Sequence, residues 1–171
     1  MEGDDRAARV LRALEDVGAS LATAESLTGG RLAALLTAVP GASRVFLGGV
    51  VAYDPAVKEH VLGVPHDLVA LHGVVSAECA RAMAVGAREL TGATYAVSTT
   101  GVAGPDPSEG QPPGTVFVGV AGPGGDRAIA LTLTGERSAI ADRTCREALG
   151  LLADLLGTRL PGVPVEETPT R

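Results

Sequence analysis

Acyl-transfer chemistry needs a nucleophile, a base to take its proton, and donors for the oxyanion that develops. The first candidate nucleophile is Ser26, in Ala24-Glu25-Ser26-Leu27-Thr28-Gly29-Gly30, between an apolar run (19–24) and a helical pattern beginning near Arg31. A hydroxyl there sits at a strand end, beside a turn whose glycines let a ligand approach bare backbone. The helix that follows offers unpaired N–H groups and the positive end of its dipole, which suit an oxyanion or a phosphate. Ser26 reads as a nucleophile or anion ligand on those grounds. The plainer alternative is that Ser26 and Thr28 cap the helix and the glycines shape a loop.

The base is harder to find. His60, His66 and His72 fall on the segment around Lys58 or the irregular stretch after it, where solvated surface histidines are the ordinary outcome. Cys, His and acidic residues do not cluster at metal-ligand spacing, which argues against a metal hydrolase, and acyl transfer to a serine requires no cofactor. A lysine can serve instead if burial depresses its pKa. Lys58 is the only lysine in the chain, against thirteen arginines, and arginine cannot act as a base at neutral pH. Tyr53, five residues earlier across the start of an Asp54-Pro55 helix, could relay a proton or bond a substrate. From these residues alone, a solvated Lys58 and a strand-end tyrosine remain the competing reading.

Composition narrows the classes. A chain of 171 residues, 46% hydrophobic, predicts a single globular domain with a full core. Aromatics are only 2%, so Ala, Val and Leu must fill that core, and 23 glycines permit the close backbone approach it needs. The net charge of −6 gives no basic field for nucleic acid, and with no tryptophan and two each of Phe and Tyr, stacking platforms are scarce. Cys79 and Cys145 fall on apolar helix faces and read as buried structural thiols. The acidic start lacks the apolar core of a signal peptide, and no apolar run is long enough to cross a bilayer, so the expected location is cytoplasmic, with no membrane partner.

The elements that must position these groups are legible from periodicity. Ala7, Val10, Leu11, Leu14 and Val17 mark a helix stopped by Gly18, and 19–24 reads as a buried strand. Leu32, Leu35, Leu36 and Val39 mark the next helix, and 45–53 a second strand whose Gly48-Gly49 pair suggests close packing or a bulge. Asp54 caps a short helix with Pro55 at its first position, carrying Lys58 and ending near Gly63. Ser76 opens a helix to Leu90 with Cys79, Met83, Gly86 and Leu90 along one face, followed by a strand over 94–99. Residues 104–114 form a loop. Gly122-Pro123-Gly124-Gly125-Asp126 joins two strands, 115–121 and 127–133, into an antiparallel hairpin. A helix from Glu136 to Leu156 turns Ile140, Thr144, Ala148, Leu152 and Leu155 inward, and the tail 158–171 is expected to be disordered. The pattern predicts one α/β domain over 1–157, three-layered α/β/α, with a mixed sheet and a late hairpin. Ligands in such sheets gather at strand ends, where the loops at Ser26, Tyr53 and after Thr100 would meet.

The motif around Ser26 resembles the opening motif of the CinA carboxy-terminal domain family, the nicotinamide-nucleotide amidohydrolases. Similar in order are Phe46-Leu47-Gly48-Gly49-Val50-Val51-Ala52-Tyr53, Lys58 with Leu62-Gly63-Val64, and His72-Gly73-Val74-Val75-Ser76. Thr100-Gly101-Val102-Ala103-Gly104-Pro105, Pro113-Gly114-Thr115-Val116 and, less closely, Gly135-Glu136-Arg137 complete a resemblance over about residues 6 to 157. It implies hydrolysis of the carboxamide of nicotinamide mononucleotide to nicotinic acid mononucleotide and ammonia. Ser26 would attack, Lys58 would be the base and Tyr53 would assist. Backbone N–H groups near Thr28, Gly29 and Gly30 would contact an oxyanion or phosphate. Thr100, Gly101 and Gly104 would line the nucleotide pocket, and Arg137 would pair with its phosphate. The alternative is a non-catalytic nucleotide-binding or regulatory module using the same pocket. The sequence departs from the family pattern at Leu27, at Asp54-Pro55 and at Glu136, and Leu27 could face toward the pocket or away from it. The family's often-linked amino-terminal domain, which resembles molybdopterin-binding proteins, does not occur in the sequence, implying a stand-alone form. A homodimer is expected from the apolar faces left by the hairpin and the Ala-rich helices.

Overall fold

The structure, a computed structural model, describes residues 2–157; the tail expected to be disordered lies outside the described residues. The elements run α1 (Glu2–Asp16), β1 (Leu21–Glu25), α2 (Arg31–Thr37), a 3₁₀ turn (Ala42–Arg44), β2 (Phe46–Val51), α3 (Pro55–His60), α4 (His66–His72), α5 (Ala77–Thr91), β3 (Tyr95–Gly101), β4 (Thr115–Gly122), β5 (Gly125–Thr132) and α6 (Arg137–Leu155). They build one five-stranded sheet ordered β2-β1-β3-β4-β5. The first three strands are parallel, and β4 and β5 run antiparallel as the expected hairpin. Among the described residues no helix is long and apolar enough to cross a membrane.

Helices cover both faces, which is why every residue of β1 is buried rather than every second one. One core joins α1, α2 and α6 to the sheet through Val10, Leu14, Leu32, Leu36, Ile140 and Leu152. The other packs α5 and its neighbours through Ala22, Ala24, Leu62, Cys79, Met83 and Ala96. The α1 stripe is stopped as its sequence predicts: Gly18 N–H donates to Glu15 O and Ala19 N–H to Leu14 O, the paired bonds of a left-handed helix stop. Gly48-Gly49 satisfies both expectations made for it. The β1–β2 register slips between Leu21 and Ala22, and a side chain at 49 would collide with Thr23.

Two details differ from the sequence reading. Residues 66–72 form α4 rather than an irregular stretch; with seven residues and only Leu68 and Val69 partly packed on the core, it is too short for a helical repeat to show. Leu155, expected to face inward, and Val17 and Leu90, placed in the apolar helical spacing, are exposed. All three sit at or just past the last residues of α1, α5 and α6, where the helix runs out of core to cover.

The small residues of α5 bring it very close to its neighbours. Ser98 Oγ donates to Ala80 O at 2.5 Å, and a Cβ at Gly86 would lie 1.8 Å from Leu62 O. Helix propensity alone favours alanine over glycine by about 1 kcal/mol. Here the collision with main chain reverses the sign. Gly86→Ala should therefore destabilise the protein by about 1–3 kcal/mol, as overpacked cores do. A fall in the urea midpoint at constant slope is the measurement that checks it.

Candidate active site

The carboxyl ends of β1, β2 and β3 meet at one edge of the sheet, and alternation along β1 divides the work there. Glu25, the last strand residue, turns toward α2; Ser26, one position on, turns to the side of α3. Ser26 N–H donates to Thr99 O at 3.0 Å, so the serine backbone continues the β1–β3 ladder before the chain leaves the sheet. Gly29 and Gly30 then adopt left-handed φ of 56° and 97°, which turns the chain into α2 just beyond Ser26.

Lys58 completes a pair with Ser26. Asp54 caps α3 by accepting from Ala56 N–H at 2.8 Å, and Pro55 occupies the first helical position as predicted. The helix so fixed carries Lys58 inward until it is only 1% exposed, the bulkiest of the fully buried side chains. Its Nζ lies 2.9 Å from Ser26 Oγ and donates to Ala52 O at 2.7 Å and, more weakly, to Tyr53 O at 3.4 Å. Burial holds the lysine pKa below its ordinary value, although nearby Cys79 and the carboxylates of Asp54 and Glu109 pull the other way. The Cys79 thiol is itself pushed up to about 11 by burial, and both cysteines are free and buried as expected. A neutral Lys58 amine has two hydrogens for the carbonyls and one lone pair for the Ser26 proton. That is the geometry of a serine activated by a lysine base.

Ser26 and Lys58 open onto a cavity of about 480 Å³, a size suited to a small molecule. Tyr53, Thr100, Gly101, Gly104 and Arg137 line it. Arg137, the first residue of α6, donates from Nη1 to Gly104 O at 2.6 Å and from Nη2 to the Tyr53 hydroxyl. The Tyr53 hydroxyl is thus tied to Arg137 rather than to Ser26 or Lys58. Thr100 faces the cavity wall with its hydroxyl donated to Val74 O at 2.7 Å. Leu27 resolves in both directions: it is buried in the core and also borders the cavity. Its N–H, adjoining Ser26, has no hydrogen-bond acceptor among the described residues.

Thr28, Gly29 and Gly30 do not reach this cavity. The amino end of α2, expected to bind an external anion, is filled from within by the Glu25 carboxylate. Glu25 accepts from Thr28 Oγ1 at 2.6 Å, Gly30 N at 3.1 Å, Leu32 N at 3.0 Å and Ala33 N at 2.8 Å. Thr28 is fully buried, its hydroxyl also 2.8 Å from Thr99 Oγ1, and Gly29 N–H closes onto Ser26 O. An internal anion already occupies the helix dipole.

Three polar cavity residues escape sequence reading, Asp106, Ser108 and Glu109. Glu109 reaches from the 104–114 loop to Val74 N–H at 3.1 Å and Val75 N–H at 2.9 Å. It has a positive φ of 51°, followed by Gly110 at 72°, inside a Ser108–Gln111 bridge. Two successive positive φ values are the pattern of a type I′ turn. The Glu109-Gly110 dipeptide is the available signal, obscured because no apolar strands flank it. The histidines lie outside the cavity lining, His66 against Glu59 and His72 near Glu78.

The CinA C-terminal domain family model matches residues 4–156. A CinA-like protein of Frankia casuarinae is 47% identical over 161 residues, covering 94% of this chain and 36% of the relative. The chain thus spans little more than a third of the curated relatives it matches. Among solved structures, a CinA superfamily protein from Klebsiella pneumoniae superposes with a TM-score of 0.89 at 35% identity, covering 92% of this chain and 99% of that one. The competence/damage inducible protein CihA of Agrobacterium tumefaciens follows at 0.87 and 32% identity, covering 92% of this chain and 97% of that one. With the mixed sheet, the strand-end cavity and these matches in hand, the chain belongs to the CinA C-terminal domain family.

Proposed function

We propose that this domain hydrolyses the carboxamide of nicotinamide mononucleotide, releasing nicotinic acid mononucleotide and ammonia. The single observation that carries the reading is the 2.9 Å contact between Ser26 Oγ and a buried, otherwise carbonyl-bound Lys58 amine. Ser26 attacks the amide carbon while its proton passes to Lys58. The oxyanion of the tetrahedral intermediate takes the Leu27 N–H. The protonated Lys58 then gives its proton to the departing nitrogen, which leaves as ammonia, and an ester of Ser26 remains. Water attacks that ester with Lys58 again taking the proton, and the carboxylic acid leaves as Ser26 regains its hydrogen.

Arg137 supplies the charge for the phosphate. It sits in the cavity lining, bound among the described residues to Gly104 O and the Tyr53 hydroxyl, so a dianion would add a charge-assisted partner without stripping it from a carboxylate. Tyr53 in this scheme orients Arg137, and its assistance to the chemistry is indirect. Because Glu25 already takes the N–H groups of Gly30, Leu32 and Ala33, Arg137 is the better-supported phosphate partner.

Replacing the nucleophile in Ser26→Ala should lower ammonia release from nicotinamide mononucleotide by about 10²- to 10⁶-fold while the circular dichroism spectrum is kept. Saturable nucleotide binding by the wild type without any ammonia would instead identify a binding module. Because only the neutral amine can take the serine proton, kcat should rise with pH. Its midpoint should lie below the ordinary lysine value of 10.5, in the direction that burial moves Lys58. Arg137→Ala should raise KM about 10- to 100-fold, the equivalent of one charged hydrogen bond, with kcat changed much less.

A further inference from the structure

Glu25 is 1% exposed, immediately precedes Ser26, and touches nothing in the cavity. A buried carboxylate is costly unless its oxygens are fully engaged. Here four donors converge on it, and all four come from the segment that carries the chain away from Ser26: Thr28, Gly30, Leu32 and Ala33. Thr28 extends the network to Thr99 of β3, whose carbonyl also receives the Ser26 N–H. On the opposite side, Glu25 O accepts from Ala52 N–H at 2.8 Å, and Ala52 O is the nearest carbonyl to Lys58 Nζ, at 2.7 Å. One residue therefore touches the supports of both reacting groups: through its carboxylate the turn that aims Ser26, through its carbonyl the peptide that holds Lys58.

We propose that Glu25 is the positioning residue of the Ser26–Lys58 pair, fixing the serine rotation and height above the strand end so that Oγ meets Nζ. The inference rests on the nucleophile role given to Ser26 above, and a substrate-independent probe separates the two. A fluorophosphonate phosphonylates an activated serine: the Oγ–P bond forms, the P–F bond breaks, fluoride leaves, and the serine proton passes to Lys58.

The test uses the full chain at a temperature where circular dichroism reports complete folding, with Ser26 labelling followed by intact mass and located by peptide mass. Glu25→Gln keeps the side-chain size but sets an amide NH₂ against backbone donors. Labelling should slow by about 10²-fold, the cost of misplacing a reacting group by about 1 Å, with the pH midpoint of labelling unmoved because the surroundings of Lys58 persist. A merely structural Glu25 would lower the melting temperature and leave the labelling rate per folded molecule at the wild-type value; that result overturns the proposal. If Glu25→Gln does not fold, Thr28→Val removes one donor and the Thr99 link, and folded Thr28→Val labelled at the wild-type rate overturns it equally. A wild-type Ser26 inert to the probe sinks the nucleophile reading and this inference together. Normal labelling with no ammonia from the nucleotide sinks only the substrate assignment, and slowed labelling of Glu25→Gln then still supports the role of Glu25.

Discussion

A primary amine removed from water and held against a hydroxyl is the constraint around which this molecule is arranged. Taking an ammonium into a protein interior costs several kcal/mol unless it is compensated or loses its proton. Lys58 is met by main-chain carbonyls and one serine, with no carboxylate of the described residues in hydrogen-bond contact. Carbonyls tolerate either protonation state, whereas a paired carboxylate would pin the lysine in its charged form. The fold must therefore deliver the ends of two strands and the first turns of a helix to one point. The parallel arrangement of β2, β1 and β3 does so, since neighbouring parallel strands end on the same side.

The surrounding charges are arranged at one remove. Arg137 and Tyr53 hold each other at the cavity wall, while Asp54 and Glu109 act on Lys58 through space only. Glu25, the carboxylate closest in sequence to Ser26, is turned to the far face of the sheet and consumed by α2. The site thus keeps acids near enough to oppose the effect of burial on Lys58 but not near enough to bond it.

Much of this is legible in the sequence because it depends on single residues or short spacing. The sole lysine among arginines, the Asp54-Pro55 helix start, the Gly18 stop and the Gly-Pro-Gly-Gly hairpin each carry their own physical cause within a few positions. The resemblance adds Arg137, Thr100, Gly101 and Gly104, which line the cavity. What stays hidden is information that lies across the sheet. A small-residue turn before a helix has the same pattern whether its N–H groups await a ligand or are already satisfied, so the turn reads as open although Glu25 takes the Thr28 hydroxyl and the Gly30 N–H and Ser26 O takes the Gly29 N–H. The Glu109 clasp joins residues 35 positions apart and leaves no periodic trace. Helix-end residues such as Leu90 obey the apolar spacing yet outrun the core that would cover them.

The cavity mouth puts two demands on position 109 that few amino acids meet together. Its backbone must bend the left-handed way, which glycine and asparagine do with least effort. Its side chain must also span to two consecutive peptide hydrogens on another segment, which needs both oxygens of a long carboxylate. Glycine would relieve the torsion and drop the tether; asparagine would fall short; glutamine would reach but lose one acceptor. Glutamate accepts the conformational discomfort in exchange for the tie, so the shape of the entrance is written into one residue that local turn preferences alone would not have chosen.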